Sequence, residues 1–170
     1  PALQTLALML VAAAISIALG LPIGILAALN DRFDRALRPV LDAMQTLPTF
    51  VYLVPVLLLF GVARVPAVVA TLIYALPPMV RLTSLGLRTV SPAAVEAGRA
   101  FGATRGQVLW KVQLPMALPT LMTGVNQTIM MAMGMVVIAA LVGAGGLGRE
   151  VLLALQRLRV GQALEAVGVA

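Results

Sequence analysis

Glu96 is the one carboxylate between Arg81 and Lys111, and Asn126 and Gln127 are adjacent amides inside a long uncharged run. A lone carboxylate among small residues can pair with a basic group on a partner. Two amides in an apolar run need a hydrogen-bonding neighbour helix or an aqueous path, because lipid solvates them poorly. Both uses stay open for Asn126 and Gln127, and Thr123 can join either. Met130, Met131, Met133 and Met135 follow. Their thioethers could serve a gate, although ordinary packing is the simpler use. A soft-metal path would want convergent sulfur or imidazole ligands, and none is evident. The chain has no His and no Cys, which removes the commonest general base and any thiolate nucleophile or zinc–thiolate site. Gly145, Gly146 and Gly148 are followed by Arg149 rather than the Lys-Ser/Thr of a phosphate-binding loop. No catalytic set and no metal site are expected.

The elements holding these residues must lie in a membrane. Of 170 residues, 61% are hydrophobic and 11% charged, with a mean hydropathy of +1.05. Soluble domains are about 45–50% apolar and about 25% charged. The net charge is +6. The basic residues fall between apolar runs, so they set topology, and no nucleic-acid partner is expected.

Four stretches are long enough to span a bilayer as helices: 2–29, 41–61, 65–87 and 117–142. The third requires Arg81 to snorkel toward the headgroups. A fifth span is expected to start near 160. Residues 149–159 read as a short amphipathic helix, either a platform for an external protein or an interfacial helix. The chain begins at Pro1 without a signal-peptide pattern, and reads as an internal piece of a longer protein. One set of loops carries Arg32, Arg35, Arg38, Arg81, Arg88, Arg99, Arg105 and Lys111; the other carries Arg64, Arg149, Arg157 and Arg159. The richer side is placed in the cytoplasm, so the loop 88–115 is cytoplasmic.

That loop reads as two short helices. Ser91 and Pro92 supply an N-cap hydroxyl and a ring suited to the first helical position. Gly102 is a left-handed stop. Thr104 with Gln107 makes a capping box for the second helix, which Pro115 is expected to end. Two capped helices are more than a tether needs, and they are the right size to dock on a cytoplasmic partner. A DNA-reading helix pair would need a soluble basic body, which this tethered loop lacks. A plain connection remains the simpler alternative.

Within the loop, Glu96-Ala97-Gly98, three residues, Gly102, nine residues, then Val112-Gln113-Leu114-Pro115 resembles the EAA loop of bacterial ABC importer permeases. The family pattern is E-A-A, three residues, G, nine residues, I, any residue, L-P. Gly98 and Val112 depart from it, and the spacing is kept. Gln113 to Thr120, Asn126 to Met130 and Gly143 to Gly148 resemble the glycine betaine, proline betaine and choline branch. The resemblance covers essentially the whole chain. It implies an all-α type I importer permease bundle, one transmembrane domain over 1–170, in a bacterial inner membrane. It also implies a coupling surface at Glu96, Ala97, Gly98, Phe101, Gly102, Leu114 and Pro115. Gly98 and Gly102 would admit a close partner backbone, and Phe101 would anchor the contact. Glu96 could alternatively pair with Arg99 one turn on.

The implied partners are a cytoplasmic ATPase subunit carrying ATP and Mg, an extracytoplasmic substrate-binding protein, a second permease copy and membrane lipid. This chain is expected to bind no cofactor and to be no enzyme itself. Thr123, Asn126, Gln127 and Met130 are the expected translocation path. The solute could instead be methionine or another amino acid. From another class, a channel or secondary transporter would want central ionisable residues or a filter, which are not seen. A structural scaffold would leave the capped helices unexplained.

Two small-residue ridges have a four-residue spacing: Ala12, Ser16, Gly20, Gly24 and Ala28; and Thr120, Gly124, Thr128, Ala132, Val136 and Ala140. Both predict tight helix contacts, within the bundle first and across a dimer second.

Overall fold

A computed structural model describes residues 2–60 and 64–139. Every element among them is helical: α1 (Ala2–Leu29), α2 (Asp31–Thr46), α3 (Thr49–Phe60), α4 (Arg64–Arg88), α5 (Pro92–Ala100), α6 (Arg105–Val108), a π-helical turn (Leu109–Gln113) and α7 (Leu114–Ala139). The expected helix at 149–159, the start at 160, the glycines at 143–148 and Ala140 lie outside the described residues.

α1 is a 28-residue helix without a charge, about 42 Å long at 1.5 Å per residue. α1 and α4 each have the length and hydropathy to cross a membrane. α7 has 26 residues, with its apolar character diluted by Thr, Asn and Gln.

The expected span at 41–61 is divided between two helices. α2 starts at Asn30, whose side-chain oxygen accepts from the backbone N–H groups of Arg32 (3.0 Å) and Phe33 (3.2 Å). Asp31 and Asp34 occupy its first turn, where a helix N-terminus favours negative charge. The charged stretch 30–39 is therefore helix rather than loop. α2 stops at Leu47, which is extended (φ −68°, ψ 136°), because the ring of Pro48 disfavours helical backbone before it. α3 then takes 12 residues, too few to span alone.

α4 is the central helix, with α1 and α7 packed along it. The ridge residues make these contacts. A Cβ on Gly20 would lie 2.7 Å from that of Met79, and one on Gly24 would lie 2.5 Å from that of Thr83. On α7, a Cβ on Gly124 would meet the Leu82 Cβ at 3.1 Å. Ala12, Ala70, Ala75, Ala132, Met79 and Met135 are completely buried. Small residues let backbones approach, so dispersion rather than burial from water holds the helices together. The hydroxyls of Ser16, Thr83 and Thr128 are buried in these seams without a hydrogen-bond partner among the described residues.

At the charged end, α2 is tied to α4. The Arg88 guanidinium lies 2.6 Å from the Asp31 carboxylate and 3.8 Å from that of Asp34. It also donates to the Ala27 carbonyl of α1 at 2.7 Å. Arg81 pairs with Asp42, an ion pair between α4 and α2 whose side chains both remain partly exposed.

Candidate coupling surface and membrane path

α5 is a nine-residue helix whose start differs from expectation. The Ser91 hydroxyl makes no capping bond. The Ser91 carbonyl instead accepts from Ala94 (3.1 Å) and Val95 (3.3 Å), and Pro92 needs no partner for a missing N–H. The end is as expected. Gly102 has φ +82°, the Ala103 N–H donates to the Gly98 carbonyl (3.1 Å), and the Gly102 N–H to that of Arg99 (2.9 Å). This is a Schellman closure, which needs a left-handed residue. Thr104 and Gln107 then form the reciprocal capping box, at 2.8 and 3.4 Å.

The faces of α5 separate the candidate coupling residues. Val95 packs against the cluster of Leu87, Val90, Ala117 and Leu121, as does Leu114. Gly98 faces inward as well: a Cβ there would stand 3.5 Å from Val112 and 3.6 Å from Val108. Within this chain Gly98 packs on the next helix. Both distances are ordinary contacts, so the alanine of the family pattern would fit. Glu96, Ala97, Phe101 and Gly102 are exposed, with Phe101 at 91%. Among the described residues Glu96 makes no ion pair, with Arg99 or otherwise.

Pro115 is exposed and does not end the second helix. The backbone runs from α6 through the π turn into α7, and the Leu114 N–H donates to the Leu109 carbonyl five residues back. In a regular helix the Pro115 ring would press on the Lys111 carbonyl. The wider turn relieves that crowding and keeps the chain helical. Trp110 within this turn is 66% exposed. Its significance was not legible beforehand, although a lone tryptophan beside Lys111 is a signal for an interface.

On α7, Thr123, Asn126, Gln127 and Met130 are all exposed on the bundle surface. The Thr123 hydroxyl is occupied by the Pro119 carbonyl at 3.2 Å. The structure brings Gln127 and Met130 together in a cavity of about 320 Å³, with Tyr74, Met131 and Gly134. Asn126 and Thr123 do not line it. Tyr74 is a lining residue with only a weak signal in the sequence, a hydroxyl-bearing ring inside an uncharged run. Among the described residues no cluster of His, Cys, Asp or Glu could hold a metal ion.

Known proteins resemble this chain over most of its length. The glycine betaine/proline betaine transport system permease protein ProW of Escherichia coli (strain K12) is 54% identical over 162 residues, covering 95% of this chain and 46% of ProW. The glycine betaine transport system permease protein OpuAB of Bacillus subtilis (strain 168) is 51% identical over 166 residues, covering 98% of this chain and 59% of OpuAB. The chain thus spans about half the length of these curated relatives. An inward-facing structure of the MetNI methionine ABC transporter superposes with a TM-score of 0.80 at 26% identity, covering 98% of this chain and 84% of that one. The fold is that of a type I ABC importer permease. Residues 20–170 match the family described as binding-protein-dependent transport system inner membrane component, and the chain belongs to that family of inner-membrane proteins.

Proposed function

We propose that this chain forms the membrane path of an ATP-driven importer for small quaternary-nitrogen solutes of the glycine betaine class. The observation that carries the reading is the exposed face of α5, with Glu96, Ala97, Phe101 and Gly102, held at the end of a helix pair continuous with α7. That face docks on a cytoplasmic ATPase subunit, which supplies ATP and Mg; this chain contributes neither. Phe101 is the anchor and Glu96 the charged contact. Gly98 and Leu114 hold α5 against the bundle, and Pro115 fixes the turn through which α5 moves α7. Alternating access follows when the ATPase pair closes and carries the two coupling helices with it. Two permease copies form the path, and an external binding protein delivers the solute. Thr123, Asn126, Gln127 and Met130 border the path on α7.

Glycine betaine is the solute in the names of relatives more than 50% identical, which supports this branch. A second reading, a methionine or other amino-acid solute, draws on the fold shared with the methionine transporter at 26% identity. The test is uptake by the intact permease in proteoliposomes with its ATPase and binding protein, supplied with radiolabelled glycine betaine or methionine. ATP-dependent betaine uptake is expected. ATP-dependent methionine uptake alone would select the second reading, and flux without the ATPase would overturn both.

A further inference from the structure

The cavity between α4 and α7 lies near the middle of the helices. Tyr74 is ten residues after Arg64 and fourteen before Arg88, roughly 15 and 21 Å along the axis at 1.5 Å per residue. Gln127 is likewise central in α7. At about 320 Å³ the cavity is at the small end for a ligand site, and it is an open depression on the bundle surface rather than an enclosed pocket. Its lining is an aromatic ring, two thioethers, one amide and a glycine. Gln45, near the end of α2, donates to the Met131 sulfur at 3.9 Å, so a second amide adjoins it. Pro77 and Pro78 lie within α4 just beyond Tyr74. Neither ring has an N–H to close on the carbonyls of Ile73 and Tyr74, which leaves acceptor character beside the ring.

Resting on the functional reading above, we infer that this cavity is a mid-membrane station for the quaternary ammonium head of the solute, with Tyr74 its specificity residue. A quaternary ammonium has no N–H to donate. It is recognised by an aromatic face and by soft polarisable groups, and Tyr74, Met130 and Met131 are of those kinds. The Gln127 amide can donate to the solute's anionic end. None of the lining residues is charged, so the head is held weakly enough to leave, which conduction requires.

The test measures solute moved per ATP hydrolysed in proteoliposomes of the intact permease, ATPase and binding protein. Tyr74→Leu should lower that ratio roughly fivefold, the loss of one cation–π contact at a solvent-open site. Tyr74→Phe, which keeps the ring face, should lower it less than about threefold. Gln127→Leu, at an exposed position where folding is not at stake, should lower it about fivefold, the loss of one amide hydrogen bond. Equal ratios in wild type, Tyr74→Leu and Gln127→Leu would overturn the inference. So would equal losses in Tyr74→Leu and Tyr74→Phe, which indicate packing alone. Failure of the underlying reading looks different: the wild type itself would move no betaine.

Discussion

Gly24 of α1 lies against Thr83 of α4 at a distance that excludes any side chain: a Cβ on Gly24 would stand 2.5 Å from the Thr83 Cβ and 2.7 Å from the Val80 carbonyl oxygen. One obstacle is backbone and the other is the root of a side chain, so neither can swing away. Gly24→Ala should destabilise the assembled permease by about 1–3 kcal/mol through overpacking. Gly106→Ala is the control, because nothing lies within 4 Å of a Cβ there; it should be neutral or stabilising by up to about 1 kcal/mol. Thermal unfolding of the purified permease in detergent checks both. Equal melting temperatures for the two variants would contradict the packing.

Gly102 closes α5 with φ +82° and open space around it. Gly102→Ala therefore meets no clash and carries only backbone strain, about 1–2 kcal/mol. Gly102→Asn should cost less, since Asn tolerates the left-handed region. The order of ATP-driven uptake should be Gly, then Asn, then Ala. An alanine variant indistinguishable from wild type would show that the α5 closure is not needed for coupling.

Arg88 joins three helices through Asp31, Asp34 and the Ala27 carbonyl. Its side chain is 35% exposed, so solvent screening limits the ion pairs to about 1 kcal/mol in total. Arg88→Met should destabilise by about that amount plus the lost carbonyl bond, near 2 kcal/mol. Arg88→Lys should recover less than half, because an ammonium cannot reproduce the fork. Arg38→Ala, at a side chain 68% exposed, should change stability by less than about 0.5 kcal/mol. Denaturation of the three variants in parallel gives the order.

Features of the fold differ in how far the sequence disclosed them. The end of α5 and the start of α6 were legible because caps are local: Gly102, Thr104 and Gln107 satisfy backbone groups within a few residues of themselves. The ridge on α1 was legible because a four-residue spacing lines one helix face. Its neighbours Met79 and Thr83 were not, since nothing local selects the opposing helix. The Arg81–Asp42 pair spans 39 residues, and a charge near the end of an apolar run reads equally well as snorkelling. The π turn was hidden because a proline after a capped helix normally stops it. It continues here because widening by one residue accommodates the ring. Tyr74 was hidden because an isolated aromatic in an apolar run has no period of its own. The resemblance to the EAA loop implied the set of candidate coupling residues. Only the structure divided it into outward Glu96, Ala97, Phe101, Gly102 and Pro115 and inward Gly98 and Leu114.

Phe101 is an apolar side chain almost wholly in solvent, so its removal has little folding cost. Phe101→Ala should leave the melting temperature within about 1 °C of wild type, as exposed substitutions do. It should weaken ATPase binding by at least roughly tenfold, the usual effect of truncating an interface anchor. Leu58→Ala, exposed on α3 away from the coupling surface, should leave ATPase binding unchanged. Titration of the ATPase onto permease in nanodiscs distinguishes them, and equal affinities would remove Phe101 from the contact.

The most direct measurement is ATP-dependent uptake of radiolabelled glycine betaine into proteoliposomes holding the intact permease, its ATPase and its binding protein, with wild type beside Gly102→Asp. The account predicts uptake by the wild type only when ATP and ATPase are present, and loss of uptake in the variant although the complex still assembles. Betaine flux without the ATPase, or a Gly102→Asp variant that imports as well as wild type, would contradict it.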